Sequence, residues 1–178
     1  IVNGGKVKGM TASDVEKVVN LKRAWEFILS TDLANYPTNY VVLCQINQIV
    51  EDGFSLTAGR IRSVPVTIGG SNYLPPMPFE NLIKEQLSDF LGNESGIDLA
   101  IDLILYVMKK QLFLDGNKRT AILFANHYLI SHALGLLVVP AEKVGEFKKV
   151  LIAYYEDESK KNDIATFLKE KCWIKMEG

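Results

Sequence analysis

Apolar residues recur at helical spacing along most of the chain, with polar residues between them. The first such stretch begins after Thr11 or Ser13, either of which is suited to cap a helix. The second, TNYVVLCQINQIVEDG, predicts a helix that ends near Gly53. From Pro78 onward the pattern predicts helices alone, over about 78–91, 96–111, 117–134, 140–156 and 160–171. The chain is therefore predicted to be mainly α-helical.

One segment interrupts this helical pattern. In AGRIRSVPVTIGGSNYLPPMP, β-branched residues precede Gly69-Gly70 and a proline-rich stretch follows, which predicts a short β-hairpin over about 58–76. An isolated hairpin is only marginally stable in water. We therefore expect this hairpin either to lean on the helices or to project as an exposed arm.

Length and composition predict one domain whose net charge does not favour binding to nucleic acid or to a membrane surface. The 178 residues suffice for a single large core, which we assign to residues 11–178 after a flexible, Gly- and Lys-rich segment 1–10. A net charge of −1 gives no electrostatic footprint for nucleic acid or a membrane surface. No apolar run reaches the roughly 18–20 residues of a membrane span. Cys44 and Cys172 lack metal-ligand spacing and fit a reducing, cytoplasmic setting.

The stretch QLFLDGNKRTAILFAN, residues 111–126, carries the candidate chemistry. It follows an apolar helix and precedes another that is predicted to begin near Asn117, where free backbone N–H groups favour an anion. Gly116 permits close approach of a phosphate to the backbone, and Lys118 and Arg119 add two cations. Asp115 beside a phosphate is reasonable if it binds a divalent metal such as Mg²⁺. An ordinary capped helix start would contain the same residue types.

Residues 111–122 resemble the signature loop of the Fic/Doc family, written H-x-F-x-D/E-G-N-G/K-R. The matching residues are Phe113, Asp115, Gly116, Asn117, Lys118 and Arg119. The upstream segment 58–76 is similar to the family's flap, a hairpin that holds a target chain near the nucleotide. The resemblance implies a Fic-like helical bundle carrying one short β-hairpin flap.

The resemblance also implies roles for these residues. Phe113 would anchor the loop in the core and Asp115 would bind Mg²⁺, with ATP or another nucleoside triphosphate as the ligand. The phosphates would lie against Gly116, Asn117, Lys118 and Arg119. A target protein would dock on the flap by strand addition, and an antitoxin-like partner is a further expectation. The flap residues concerned are Val66, Thr67, Ile68, Gly69, Gly70 and Ser71.

Three residues depart from the family pattern. Gln111 stands at the position of the catalytic histidine, and a carboxamide cannot act as a general base. Lys118 replaces the glycine of adenylylating members and resembles the Doc branch, which transfers phosphate. Ile122 replaces a second arginine of the adenylylating signature. His127 and His132 lie too far along the next helix, roughly 15 Å and 22 Å from its start, to replace the base.

Two functions remain open. The chain is either a Fic/Doc-type transferase that moves AMP or phosphate to a protein hydroxyl, or a non-catalytic relative that binds a nucleotide or phosphorylated ligand. A third possibility is another reaction on a phosphate compound in which Gln111 positions the nucleophile. Intact binding residues with the base missing predict a preserved phosphate site with impaired or altered transfer.

Overall fold

The structure, a computed structural model, describes residues 9–177, so most of the predicted flexible segment 1–10 lies outside the described residues. The helices and strands are α1 (Ala12–Leu29), α2 (Thr31–Ala34), α3 (Tyr40–Val50), α4 (Glu80–Asn93), α5 (Gly96–Lys110), α6 (Asn117–Ser131), β1 (Leu136–Leu137), α7 (Val144–Glu156), α8 (Lys161–Phe167) and β2 (Trp173–Ile174). Single 3₁₀ turns at Ala141–Lys143 and Glu158–Lys160 precede α7 and α8, and a π-turn at Leu168–Cys172 follows α8. The predicted mainly helical fold is confirmed.

Helix α1 begins at the residue that the sequence indicated. Thr11 accepts a hydrogen bond from the backbone N–H of Asp14 at 3.1 Å, and the Asp14 carboxylate accepts one from Thr11 at 3.0 Å. This reciprocal capping box supplies acceptors for two N–H groups near the helix end. The alternative cap, Ser13, lies within the helix.

Helices α5 and α6 form the centre of the bundle. Residues 99–109 of α5 are buried apart from Asp102, and α6 packs against α5, α3 and α1. Phe113, between the two helices, is 1% exposed and lies in the same core. The loop that joins α5 to α6 is therefore supported by well-packed elements on both sides.

The prediction that residues 58–76 form a hairpin of two paired strands is wrong. The turn is present, since Ser71 N–H donates to Ile68 O at 3.2 Å and Gly70 has φ +81°, but the segment contains no strand. The backbone N–H of Asn72 bonds to the Glu156 side chain of α7 at 3.0 Å instead of pairing across the turn. Prolines on both sides of the turn remove further donors that a ladder would need.

A two-stranded sheet forms elsewhere, where the sequence did not predict one. Leu136–Leu137 pairs antiparallel with Trp173–Ile174, which joins the end of α6 to the C-terminal part of the chain. The Asn126 side chain binds both backbone groups of Leu137, at 2.8 Å and 2.7 Å. Strands of two residues carry no alternating pattern that could predict them.

No helix among residues 9–177 combines the length and the apolar character needed to cross a bilayer.

Candidate functional site

The loop between α5 and α6 reverses the chain through two left-handed residues. Gln111 ends α5 with φ +45°, and Gly116 begins α6 with φ +74°. A left-handed conformation at a residue with a side chain is uncommon and is retained only where its surroundings hold it. Here the backbone N–H of Gln111 donates to Val107 O, and its carbonyl accepts from the Arg62 guanidinium.

Asn117 holds the loop from within. Its Oδ1 accepts from the Phe113 N–H at 2.9 Å, while Nδ2 donates to Phe113 O at 2.9 Å and to Gln111 Oε1 at 3.1 Å. The residue is 5% exposed. The sequence analysis predicted Asn117 as part of a phosphate cradle; its side chain shapes the loop, and only its backbone N–H lacks a partner in the described structure.

The Gln111 side chain is bonded at both ends. Nε2 donates to Met108 O at 2.6 Å, and Oε1 accepts from Asn117. The amide is therefore oriented by α5 and α6 and has no titratable group to offer a substrate.

The start of α6 has the properties of an anion site. Within the described residues, the backbone N–H groups of Asn117, Lys118 and Arg119 have no acceptor, and Gly116 provides no side chain to cap them. The half-buried Lys118 ammonium lies beside them in the chain; burial, and secondarily Lys148 of α7, lowers its pKa. An anion there would satisfy the amides and relieve the repulsion between the two lysines. No local pattern indicated Lys148, because α7 is distant in the chain from the start of α6.

Asp115 is exposed at the edge of this site. Its Oδ1 accepts from Gly116 N–H at 2.7 Å, and its backbone carbonyl accepts from Asn47 Nδ2 at 3.1 Å. No group of three or more His, Cys, Asp or Glu side chains in the described part of the chain is arranged to hold a metal ion. Asp115 fits Mg²⁺ as a lone protein carboxylate, since this ion commonly keeps water and phosphate oxygens as its other ligands.

Arg119 bonds to a buried carboxylate that the sequence analysis did not identify. Its Nη2 lies 2.9 Å from Oε1 of Glu51, which is 2% exposed at the end of α3. Burial raises the pKa of Glu51, Arg119 opposes that rise, and Asp115 adds to it. Nη1 of Arg119 is buried without a partner. The pair joins residues 68 positions apart, so no local pattern indicated it.

Arg62 connects the loop to the segment 58–76. It is 3% exposed, and its guanidinium donates to Val64 O at 2.9 Å, to Pro76 O at 2.7 Å and to Gln111 O. Its backbone N–H donates to Leu112 O at 3.0 Å. The two parts of the chain that the resemblance singled out are thus adjacent, and one side chain holds them together.

The tip of the predicted flap lies on α7. Glu156 accepts from Ser71 Oγ at 3.1 Å as well as from Asn72, and the Tyr73 ring stacks on Tyr155 with centroids 6.3 Å apart. Ile68 is buried. Of the other predicted flap residues, Val66 and Ser71 are half-buried, and Thr67, Gly69 and Gly70 are exposed.

The two histidines both bond within the helical bundle. His127 is fully buried, with Nδ1 2.8 Å from Thr38 Oγ1 and Nε2 2.7 Å from Leu33 O. The carbonyl requires a proton on Nε2, so Nδ1 accepts from the threonine in the neutral ring. Burial lowers the pKa of His127 in agreement with this tautomer. His132, beyond the end of α6, packs against Tyr128 with the rings tilted by 33° and their centroids 4.2 Å apart.

Comparison with known families identifies the fold. A sequence model of the Fic/DOC family matches residues 37–129, slightly more than half of the chain, from just before α3 to near the end of α6. The chain belongs to the Fic/DOC family. No curated protein sequence gives a significant match.

Solved structures support this Fic fold over nearly the whole chain. A Fic domain containing signaling protein from Bacteroides thetaiotaomicron superimposes with a TM-score of 0.72 at 19% identity, covering 94% of this chain and 71% of that one. A fragment of Fic-1 from C. elegans gives 0.67 at 22% identity, covering 93% of this chain and 50% of the fragment. The chain therefore spans about half of that nematode fragment, and likeness at these identities concerns the fold alone.

Proposed function

We propose that this Fic domain binds the phosphates of a nucleoside triphosphate at the start of α6 and has little or no capacity to transfer AMP or phosphate. One pair of features carries the proposal. Three backbone N–H groups beside Lys118 have no acceptor in the described residues, whereas both ends of the Gln111 amide are already bonded. The binding half of the site is thus free, and the position of the base is occupied by a fixed, neutral side chain.

Each binding residue has a defined task in this proposal. The amides of residues 117–119 donate to phosphate oxygens, and Lys118 supplies a positive charge beside them. Asp115 would hold Mg²⁺, which neutralises phosphate charge when it is bound. The Asn117 side chain keeps the amides in place through its bonds to Phe113 and does not touch the ligand, and Gly116 has no side chain to block the ligand's approach.

The segment 63–71 provides a second, separate binding surface. The backbone groups of Val66 and Thr67 have no hydrogen-bond partner among the described residues, and Thr67 is exposed. A target protein in extended conformation would pair with these groups as an added strand. An antitoxin-like partner is part of the same proposal and would compete for one of the two surfaces.

The alternative is a working transferase. In that reaction a target hydroxyl oxygen attacks phosphorus, and either pyrophosphate leaves with AMP transferred or ADP leaves with phosphate transferred. Loss of a general base typically costs about 10²–10⁴-fold in rate. Under this alternative the loop is retained and Gln111 orients the hydroxyl, so transfer would be slow rather than absent. Lys118 in place of glycine favours phosphate over AMP.

Calorimetric binding of ATP and GTP, with and without Mg²⁺, tests the proposal. We expect wild type and Gln111→His to bind equally and only the histidine variant to label protein from radioactive nucleotide. Label from the α-phosphate would indicate AMP transfer, and label from the γ-phosphate alone would indicate phosphate transfer. Labelling by wild type would favour the alternative, and absence of binding would refute the phosphate site.

Two substitutions assign the binding residues. Lys118→Ala should weaken ATP binding about tenfold, the low end for a charge-assisted hydrogen bond. The control Lys22→Ala, on the exposed face of α1 beside Glu26, should have no effect. Asp115→Ala should abolish the gain in affinity that Mg²⁺ provides and leave metal-free binding intact. If Mg²⁺ still increases the ATP affinity of Asp115→Ala, the assignment of Asp115 as the metal ligand is wrong.

A further inference from the structure

Glu51 is a buried carboxylate whose side chain has one hydrogen-bond partner among the described residues, Arg119 in the first turn of α6. It ends α3, is 2% exposed, and lies 2.9 Å from Arg119 Nη2. A buried carboxylate without other partners is costly, so its presence beside a ligand site calls for a physical reason.

The carboxylate also contacts the loop backbone. A Cβ atom at Gly116 would lie 2.6 Å from Glu51 Oε1, which is far inside van der Waals contact. Asn47, one turn before Glu51 on the same face of α3, donates to Asp115 O and to Thr120 Oγ1. The end of α3 therefore forms the floor on which the loop rests.

Arg119 is only partly satisfied by this carboxylate. Glu51 occupies Nη2, Nη1 is buried without an acceptor, and the side chain keeps 29% of its surface exposed. A guanidinium presents its N–H groups in a rigid planar fork, so a bond at Nη2 fixes the direction of the rest. The exposed side of Arg119 is what an incoming anion would engage.

We infer that Glu51 is a positioning residue for the phosphate site: it holds the Arg119 guanidinium in the orientation from which that cation stabilises the phosphates. This inference rests on the proposed function, since it assigns a supporting residue to the same site. It predicts that Glu51 contributes to binding of the triphosphate and not to binding of the nucleoside.

The test measures binding of ATP and of adenosine to wild type, Glu51→Ala, Glu51→Gln and Asp52→Ala, each with a thermal melt to verify folding. We expect Glu51→Ala to weaken ATP binding about tenfold or more and adenosine binding by much less. Glu51→Gln keeps an oxygen acceptor for Nη2 and should restore most of the loss. Asp52→Ala is the matched control, because Asp52 is the next residue and forms an exposed pair with Arg23 at 3.0 Å.

The possible results separate the inference from the proposed function. Equal losses for ATP and adenosine would indicate general damage to the fold and overturn the inference. Unchanged or tighter ATP binding in Glu51→Ala would also overturn it, the latter by making Glu51 a competitor of the phosphates. If wild type binds ATP no better than adenosine, the phosphate site itself fails, and the role of Glu51 fails with it.

Discussion

Substitution of Arg62 should uncouple the segment 58–76 from the loop. Arg62 is 3% exposed, and Arg62→Ala removes its guanidinium bonds to the carbonyls of Val64, Pro76 and Gln111. Bonds from a charged donor are worth about 1.5–3 kcal/mol each. The lower value applies here, because burial of the guanidinium itself is unfavourable and lowers its pKa. Three bonds at that value give a loss of roughly 4.5 kcal/mol in the free energy of unfolding.

Urea denaturation measures this loss directly. A change of that size is a large part of the stability of a typical domain, about 5–15 kcal/mol, and should lower Tm by roughly 10 °C. Arg62→Lys should fall between wild type and Arg62→Ala, since an ammonium cannot reach three carbonyls in a fork. The control Arg60→Ala, at an exposed position two residues earlier, should remain within about 0.5 kcal/mol of wild type.

Amide hydrogen exchange locates the effect. In Arg62→Ala the amides of residues 63–79 and 111–116 should exchange faster through local opening, while those of α1 should change only through the global loss of stability. Stability within about 0.5 kcal/mol of wild type would refute the calculation. Uniformly faster exchange would show that Arg62 supports the whole fold rather than the junction between the two segments.

Further predictions concern glycine and histidine positions. Gly116→Ala should cost about 2 kcal/mol or more in urea unfolding, because it combines a left-handed residue with a Cβ that would clash with Glu51. Gly92→Ala, in an open helical position, should instead stabilise by about 0.5–1 kcal/mol, and equal effects would refute the steric argument. Burial lowers the folded-state pKa of His127 below its ordinary value of 6.5. Its contribution to stability is therefore present above pH 6.5 and is lost as the pH falls toward the folded pKa, by about 1.4 kcal/mol per pH unit over which only the unfolded chain is protonated. His127→Gln should flatten this pH dependence in urea titrations; an unchanged pH dependence in that variant would contradict the assignment.

The sequence predicts well the features that depend on local spacing. The apolar period of α5, the glycine before α6 and the Thr11 cap are readable because each depends on residues within a turn or two. The loop resemblance located the candidate site for the same reason, since its residues are contiguous. Local patterns could not show that the Asn117 side chain bonds to the Phe113 backbone, because that contact forms only once the loop has folded.

The features that were missed depend on distant parts of the chain. The neighbouring residues in the sequence do not mark Glu51 or Arg62 as buried. Both are buried because they bond to residues 111–119, which are distant in the chain. The hairpin prediction failed for a related reason. The pattern correctly predicted a turn. The Glu156 side chain of α7, however, accepts the Asn72 N–H beside that turn, which is then not free to pair with a strand.

The geometry at Gln111 explains how a Fic loop can keep its shape without the family's histidine. The strained backbone of this residue is held by groups that do not depend on its side chain: Val107 O accepts its N–H, and Arg62 donates to its carbonyl. Asn117 fixes Phe113 through two further bonds that are also independent of residue 111. Glutamine in place of the family's histidine is therefore expected to remove the general base and to leave the loop, with its free amides at α6, in place. The proposed function therefore predicts that binding and transfer are separable on this scaffold, which is why restoring a single imidazole is an informative experiment.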